Sequence, residues 1–337
     1  MVDAHDSKSC IARCESSSLS SGTAKQIRAR GGIGIRVRLR SVSRKGWEFK
    51  SPRAHMKPKI IVIVGQTATG KSDYAVTLAK KIGGEIVSAD SRQVYIGLDI
   101  GSGKITPKEM RGVPHHMLDV ANPKKVYSVS DYKRDAEKIL ADIVKRGKTP
   151  IIVGGTGFYV DAITKGQILP EVPPDMKLRK TLEKQTAEKL FLKLKKIDPA
   201  RAKTIDSKNK VRLVRAIEIA TALGKVPKVK TKPSRYDFEI IGLTMPEDKL
   251  KKRIHVRLLA RIQQGMIEEV KQLHKNGLSW KRLEALGLEY RYVALYLQKK
   301  LTRAEMLEQL EKAIWQYAKR QKTWFKRDKR ILWIEAK

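Results

Sequence analysis

Residues 65–72 read GQTATGKS and match the phosphate-binding pattern GxxxxGK[ST] at every fixed position. In such a loop the backbone N–H groups surround phosphate oxygens, the lysine reaches the outer phosphates, and the last hydroxyl can hold Mg²⁺. We therefore expect magnesium as the cofactor, with Ser72 as its protein ligand. The residues expected to contact phosphate are Gly65, Thr67, Ala68, Thr69, Gly70, Lys71 and Ser72.

The sequence on either side of this loop predicts the strand and the helix that the loop requires. The apolar run 60–64 precedes it, and a segment of helical period follows. Four apolar residues of that segment share one predicted face: Ala75, Leu78, Ala79 and Ile82. The loop N–H groups would then meet at the positive end of the helix dipole, where an anion is stabilised. Kinases, motors, switches and some transferases share this arrangement, so other residues must distinguish among them.

Short apolar segments alternate with helical ones from residue 59 onward, as a parallel α/β sheet requires. Asp90 follows the second predicted strand, and the polar stretch 154–157 follows the third. Open α/β sheets bind ligands at the carboxyl ends of their strands, so we expect both at the site. The predicted fold is a P-loop NTPase-like parallel sheet flanked by helices. Further strands are predicted at 85–89, 150–153, 239–243 and 331–334, with a helix around 132–145.

Composition divides the chain into four predicted segments. Residues 1–56 are rich in Ser, Arg and Gly without a helical period, which predicts a disordered basic extension. This extension is either a basic arm or a segment upstream of a true start at Met56. The Pro-rich stretch 169–174 marks the beginning of a Lys-rich helical insertion. The other segments are the first part of the core at 57–167, the insertion at 168–235, and the second part of the core with C-terminal helices at 236–337.

The charge of the chain favours a nucleic-acid partner. The formal net charge is +37, and it is still +29 after removal of residues 1–55, which hold 12 basic and 4 acidic residues. A basic surface gains affinity for a nucleic-acid backbone with each phosphate it neutralises, although a generally lysine-rich proteome is an alternative. No segment reaches the ~20 apolar residues of a membrane span. Cys10 and Cys14, the only cysteines, lie in the extension, so the core has no disulfide or thiolate metal site.

Asp90 is the carboxylate best placed for chemistry. Nucleotide-hydrolysing motors carry a second apolar strand that ends in an acid, whereas the strand at 150–153 ends in glycines. A carboxylate near a lysine and Mg²⁺ stays ionised and can accept a proton, which makes Asp90 a candidate general base. The alternative is that Asp90 caps the next helix.

Six segments resemble, in order and spacing, those of bacterial tRNA dimethylallyltransferases, the tRNA isopentenyltransferase family. The resemblance covers residues 57–335. It implies transfer of a dimethylallyl group from dimethylallyl diphosphate to the exocyclic N6 amine of the adenosine 3′-adjacent to the anticodon, in tRNAs that read codons beginning with U. The segments are GQTATGKS at 65–72, ADSRQVYIGLDIGSGK at 89–104, GVPHHMLDV at 112–120, VGGTGFYVDAI at 153–163, NKVRLVRAIEI at 209–219 and KRQKTWFKRD at 319–328.

The resemblance also assigns roles to individual residues. It implies that Asp90 is the general base, that Lys71 and Thr156 act at the diphosphate leaving group, and that Arg257 clamps the diphosphate. Arg257 would share a helix face with Arg253, so an ordinary solvated charge is the alternative. Arg212 and Arg215 could likewise form a charged helix edge. The residues implied to contact tRNA are Asp90, Ser91, Arg92, Gln93, Val211, Arg212, Leu213, Val214 and Arg215.

Two further patterns have competing explanations. Basic residues of 319–327 could grip RNA, but helical spacing through that region predicts that its apolar residues belong to the core. His115 and His116 are adjacent in sequence and have no third ligand nearby, which favours hydrogen bonding or packing over a metal site. The predicted core positions of the C-terminal helix are Leu307, Leu310, Ile314, Tyr317 and Trp324.

The expected partners are therefore a tRNA anticodon stem-loop and dimethylallyl diphosphate, with no membrane, and the expected state is a monomer. The expected location is cytoplasmic, or organellar if residues 1–55 are a transit peptide, although their four acidic residues argue against one. Three rival functions are a nucleotide kinase that uses ATP, an enzyme that prenylates AMP or ADP, and a noncatalytic RNA-binding protein.

Overall fold

The structure, a computed structural model, describes residues 57–336, and the predicted extension at 1–56 lies outside them. In the described part, the strands are β1 (Lys59–Gly65), β2 (Glu85–Ser88), β3 (His115–His116), β4 (Pro150–Val153), β5 (Gln167–Ile168), β6 (Lys230–Thr231), β7 (Asp237–Thr244) and β8 (Leu332–Glu335). The helices are α1 (Lys71–Ile82), α2 (Pro107–Met110), α3 (Val129–Lys145), α4 (Gly157–Thr164), α5 (Met176–Leu182), α6 (Ala187–Ile197), α7 (Pro199–Ala202), α8 (Lys210–Leu223), α9 (Glu247–Gln263), α10 (Met266–Lys275), α11 (Trp280–Leu286), α12 (Leu288–Leu297) and α13 (Arg303–Phe325).

Six strands form one parallel sheet in the order β3-β2-β4-β1-β7-β8. Its central strand, β1, is buried on both faces, which explains its continuous apolar sequence. The chain leaves β1 toward β2 and β3, whereas after β4 it returns on the other side of β1 at β7. A crevice therefore opens between the carboxyl ends of β1 and β4, where such sheets bind ligands. The predicted parallel α/β fold is confirmed.

Helices cover both faces of the sheet. Alternate residues of β1 divide between the two layers: Ile61 and Ile63 pack with α1, and Ile60, Val62 and Val64 pack with the larger layer. That larger layer contains buried residues of α3, α9, α10, α12 and α13. Within α13, the predicted core spacing is confirmed for four of its five residues, because Leu310 and Ile314 are buried and Leu307 and Trp324 pack against the same layer. Tyr317 was also predicted to be in the core, but it is half-buried and lines a polar cavity instead.

The buried face of α1 differs in part from the prediction. Ala75 and Ala79 are buried as expected, but Val76 is also buried and Ile82 is 38% exposed. At 100° per residue, a face centred between residues 75, 76 and 79 leaves residue 82 at its edge. The sheet packs against Ala75, Val76 and Ala79. The buried face is therefore rotated toward Val76, away from the predicted face that included Leu78 and Ile82.

The helices between β5 and β6 have a hydrophobic cluster of their own. Leu182, Leu190, Leu194, Leu213 and Ile217 are each fully buried in it. The segment leaves and rejoins the core through β5 and β6, which pair antiparallel. These two-residue strands were not predicted from the sequence, because so short a pair carries no alternation. The domain boundaries at 168 and 235 stay a prediction. Among residues 57–336, no helix combines the length and apolarity needed to cross a membrane.

A buried carboxylate ties this helical segment together. Glu218 in α8 is 2% exposed and accepts two hydrogen bonds of 2.8 Å from the Arg179 guanidinium in α5. It also accepts from Arg215 one turn earlier and from the backbone N–H of Asp175 at 2.7 Å. A buried charge needs such partners, and removing the central one leaves two guanidinium groups without compensation.

We expect Glu218→Gln to lower the free energy of unfolding by about 3 kcal/mol, because breaking a buried ion pair on one side is strongly destabilising. Urea denaturation followed by circular dichroism measures the change. Glu171→Gln, at an exposed position, is the matched control and should alter stability by less than about 0.5 kcal/mol. Equal stability of the two variants would contradict a structural role for Glu218.

Candidate active site

Backbone hydrogen bonds draw the ends of β1, β2 and β4 together. The N–H of Ala89 donates to the carbonyl of Val153 at 2.7 Å, and the N–H of Thr156 donates back to the carbonyl of Ala89 at 3.2 Å. The N–H of Gly154 donates to the carbonyl of Ile63 at 3.1 Å. These strand ends lead directly into the loop 65–72, Asp90 and Thr156. Three segments that the sequence singled out separately therefore lie at one edge of the sheet.

The loop 65–72 has the conformation of a phosphate cradle. Gly70 has φ +85° and directly precedes α1, a backbone conformation that other residues adopt only with strain. The Lys71 ammonium donates to the carbonyl of Gln66 at 2.5 Å, and the Thr69 hydroxyl donates to the same carbonyl at 2.9 Å. Two side chains of the loop therefore stabilise its backbone, and one of them is Lys71.

Three arginines of α9 face this loop. Arg253, Arg257 and Arg261 are spaced four residues apart, so they lie on one side of the helix. All three line a cavity of about 260 Å³ together with Lys71 and Asp90. Arg261 pairs with Glu289 at 3.1 Å, whereas Arg253 and Arg257 have no carboxylate within 4.0 Å in residues 57–336. Unpaired positive charge at a helix N-terminus is suited to an anion with several negative oxygens. The sequence had implicated Arg257 but not Arg261.

The crowding of positive charge changes the acidity of these groups. Burial, and then the charge of Arg257, lower the pKa of Lys71 to about 8, while Asp90 opposes the change. Burial, followed by the charges of Arg261 and Arg253, lowers the pKa of Arg257 to about 10. Both groups are charged at neutral pH. Burial and repulsion between like charges make the charged forms of Lys71 and Arg257 less favourable, and a bound anion would reduce this free-energy cost.

Asp90 lies at the start of a turn, and only one of its oxygens is engaged. Its Oδ1 accepts the N–H of Arg92 at 2.8 Å and that of Gln93 at 3.4 Å. No described residue donates a hydrogen bond to Oδ2. Asp90 therefore does cap the following segment, but that segment is a turn rather than a helix. Because the second oxygen is not engaged, the cap leaves a proton acceptor facing the cavity.

Thr156 stands at the first position before α4 but does not cap that helix. Its hydroxyl accepts the N–H of Ser91 at 3.0 Å and donates to the Ser91 hydroxyl at 3.3 Å. The glycine-rich segment after β4 is thereby fastened to the turn that begins at Asp90. This contact fixes the position of Thr156 relative to the proposed base.

A second cavity, of about 310 Å³, meets the first at Asp90. Thr67, Asp90, Ser102, Arg261 and Tyr317 line both. The rest of the second cavity combines apolar, polar and basic groups. Further lining residues are Ser91, Arg92, residues 286–289, Arg291, Ile314 and Arg320. Asp90 thus lies between a cationic cavity and a mixed one.

One carboxylate holds the loop 99–102, whose last residue, Ser102, lines the first cavity. Glu269 of α10 accepts the backbone N–H groups of Asp99, Ile100 and Gly101, at distances between 2.6 and 3.0 Å. The Tyr290 hydroxyl donates to the same carboxylate at 3.0 Å and accepts the N–H of Ser102 at 3.1 Å. Sequence reasoning missed both residues, since nothing near Glu269 in sequence indicates a partner about 170 positions away.

The residues implied to contact tRNA lie in two places. Ser91 and Arg92 line the second cavity, while Gln93 lines the first and donates to the carbonyl of Gly103 at 3.1 Å. The segment 211–215 is in the helical insertion and lines neither cavity. There, Val211 and Arg212 are exposed, Leu213 and Val214 are buried in the cluster, and Arg215 is bonded to Glu218.

The donors available to a metal ion are few. The described residues contain no group of three or more His, Cys, Asp or Glu side chains that could hold one. His115 instead bonds the carbonyl of Val113 at 2.8 Å, and His116 bonds Glu85 at 2.8 Å, so hydrogen bonding explains both histidines. Ser72 is exposed at the mouth of the cavity beside Asp73. Such a set fits an Mg²⁺ ion bound mainly by substrate phosphates and water.

The fold is a P-loop-like α/β sheet, and its cationic cavity beside Asp90 suits a phosphate-bearing substrate. The profile of the IPP transferase family matches residues 93–328. The tRNA dimethylallyltransferase 2 of Treponema denticola is 47% identical over 279 residues, which are 80% of this chain and 92% of that protein. The chain therefore belongs to the IPP transferase family of tRNA dimethylallyltransferases, as its motifs predict, and it is a transferase.

Solved structures agree with this assignment. The tRNA isopentenylpyrophosphate transferase of Bacillus halodurans is 37% identical, with a TM-score of 0.63 over 83% of this chain and 90% of its own. A eukaryotic dimethylallyltransferase, described in snapshots of its action on tRNA, is 26% identical with a TM-score of 0.67. That match covers 83% of this chain and 74% of the other.

We expect the Lys71 ammonium to titrate near pH 8, because burial and Arg257 disfavour its charge. Nitrogen-detected NMR of the lysine side chains measures this pKa, and Lys71→Arg identifies the resonance by removing it. Arg257→Ala should move the pKa upward, since it removes a neighbouring positive charge. Titration of Lys71 at its ordinary 10.5 would contradict the electrostatic account of the cavity.

Proposed function

We propose that this chain transfers the dimethylallyl group of dimethylallyl diphosphate to the exocyclic N6 amine of the adenosine 3′-adjacent to the anticodon. The acceptors are tRNAs that read codons beginning with U, and diphosphate is released. The observation that supports the proposal best is the meeting of two dissimilar cavities at Asp90, one lined by Lys71 and three arginines and one open to Arg92 and Arg291. A reaction between an anionic donor and a nucleobase acceptor needs one chamber for each.

The first cavity suits the diphosphate. As the carbon–oxygen bond of the donor breaks, negative charge grows on the departing oxygen, and nearby donors that need no rearrangement stabilise it. Lys71, Arg253 and Arg257 surround that position without carboxylate partners of their own among the described residues. Mg²⁺, held by Ser72 and the phosphates, would supply further charge neutralisation in this cavity.

Asp90 is suited to accept the proton that the amine must lose. The lone pair of an adenine amine is delocalised into the ring, so the nitrogen attacks effectively only as its proton departs. In the proposed step the new C–N bond forms, the C–O bond to diphosphate breaks, and the amine proton passes to Oδ2 of Asp90. The hydrogen bonds from Arg92 and Gln93 hold Oδ1, which orients the carboxylate without occupying its second oxygen.

The second cavity suits an extruded nucleotide. A base inside a stacked anticodon loop cannot reach Asp90, so it has to be turned out into a pocket. Arg92, Arg291 and Arg320 border the cavity and can neutralise adjacent phosphates. Arg212, in the insertion, is exposed and would contact a more distant part of the RNA backbone.

The direct test incubates the full chain with Mg²⁺, labelled dimethylallyl diphosphate and an unmodified anticodon stem-loop, followed by digestion to nucleosides. The expected product is N6-dimethylallyladenosine at the position 3′ of the anticodon. Parallel reactions with AMP as acceptor, and with ATP as donor, distinguish an enzyme of free nucleotides and a kinase. Labelled AMP or phosphate transfer, without labelled stem-loop, would overturn the proposal.

Asp90→Asn should reduce the rate of transfer by about 10²- to 10⁴-fold, the usual contribution of a general base. The amide oxygen of asparagine can still accept from Arg92, so the turn is preserved and only the proton acceptor is lost. Rates come from single-turnover reactions, and stem-loop affinity, measured by filter binding, should stay within about 3-fold of wild type. A variant with a near-normal rate would show that another group takes the proton.

Arg212→Ala should weaken stem-loop binding chiefly at low salt. Loss of one phosphate contact reduces the slope of log affinity against log salt by about 0.7 to 0.9. Fluorescence anisotropy at several salt concentrations gives the slope. Lys80→Ala is the control, because Lys80 is exposed in the last turn of α1, away from the phosphate loop at its start. Identical slopes for the two variants would exclude Arg212 from the RNA interface.

A further inference from the structure

Gln321 of α13 is a buried polar side chain that contacts two of the converging loops at once. It is 4% exposed. Its Oε1 accepts the backbone N–H of Thr67 at 2.7 Å, and its Nε2 donates to the backbone carbonyl of Gly155 at 3.0 Å. The amide orientation follows from these partners, since an N–H must meet an oxygen and a carbonyl must meet an N–H.

The first of these contacts acts on a single peptide unit of the phosphate loop. The carbonyl of the peptide between Gln66 and Thr67 accepts hydrogen bonds from Lys71 at 2.5 Å and from Thr69 at 2.9 Å. The N–H of the same peptide donates to Gln321. Both polar groups of this peptide are therefore fixed, one by the lysine of the loop and the other by α13. Rotation of the peptide plane would break hydrogen bonds on both sides.

The second contact acts on the segment that carries Thr156. Gly155 precedes Thr156, and a side chain at position 155 would place its Cβ 2.1 Å from Nε2 of Gln321, so only glycine allows this approach. Thr156 in turn accepts the N–H of Ser91, next to Asp90. One amide thus connects the phosphate loop with the segment that positions the proposed base.

We propose that Gln321 is a positioning residue that sets the distance between the diphosphate and the acceptor amine. The inference rests on the proposed function, because it concerns the alignment of that reaction's two substrates. Bringing two reactants into a near-attack geometry supplies a large part of catalysis, and a displacement of 1 Å can cost about 100-fold in rate. Gln321 lines the phosphate cavity, and both hydrogen bonds that its amide makes are to the protein backbone.

Gln321→Leu removes both hydrogen bonds and leaves an apolar side chain that is one bond shorter. We expect it to lower the single-turnover rate at saturating substrates by about 100-fold. We also expect the affinity for inorganic diphosphate, measured by calorimetry, to fall several-fold, because the peptide of Thr67 is no longer held. Gln309→Leu, on the exposed face of the same helix, should change neither quantity. The affinity for the stem-loop should stay within about 3-fold in both variants.

Gln321→Glu distinguishes a positioning role from a general loss of folding, because its effect should depend on the protonation of the new carboxyl group. A protonated glutamic acid can still accept from Thr67 and donate to Gly155, whereas the carboxylate opposes the Gly155 carbonyl. The diphosphate affinity and transfer rate of this variant, each relative to wild type at the same pH, should therefore rise as the pH falls. Circular dichroism at each pH establishes that the folded fraction is constant.

The outcomes separate the two proposals. If wild-type protein yields no prenylated adenosine, the proposed function fails, and the diphosphate comparison still decides the role of Gln321. If wild type is active and Gln321→Leu stays within about 3-fold of it in both rate and diphosphate affinity, the inference about Gln321 is wrong. A loss in Gln321→Glu that is independent of pH would likewise reduce Gln321 to a packing residue.

Discussion

The site depends on positive charge that the protein itself leaves uncompensated. Lys71, Arg253 and Arg257 converge on one cavity, and none has a carboxylate within 4.0 Å in the described chain. Like charges repel, so the fold must hold them by other means: α9 packs through Leu250, Ile254 and Leu258, and Lys71 is tied to the carbonyl of Gln66. The hydrophobic layers thus support a cluster of positive charge that a bound polyanion would neutralise.

Sequence reasoning predicted the sheet and the identity of the chemical groups well, because both have local signatures. The run 150–153 was predicted with the bounds that β4 has, and the other four predicted strands differ from β1, β2, β7 and β8 by at most two residues at either end. Continuous apolar runs between turn signals mark buried parallel strands. The motif 65–72 has fixed spacing, and three of the five predicted strands end beside candidate site residues.

Contacts between distant segments could not be predicted. Glu269 and Gln321 each act across more than 160 residues. No motif surrounds Glu269, and the segment 319–328, which contains Gln321, does not indicate which residues its amide contacts. The strands β3, β5 and β6 have two residues each, too few for a periodic pattern. The pairing of Arg179 with Glu218 was also hidden, because it joins two helices that lie 39 residues apart in sequence. Which residues meet was therefore a question of tertiary packing rather than of local propensity.

The narrow connection between core and insertion has an evolutionary consequence. Since β5 and β6 are paired neighbours, the two points where the chain crosses into the helical segment are separated by roughly one strand spacing, about 4.8 Å. A module attached through adjacent ends can be exchanged, lengthened or replaced without rethreading the sheet or disturbing its hydrophobic layers. The helical segment can thus change in length or sequence while the strand ends that carry Asp90 and the phosphate loop stay unaltered.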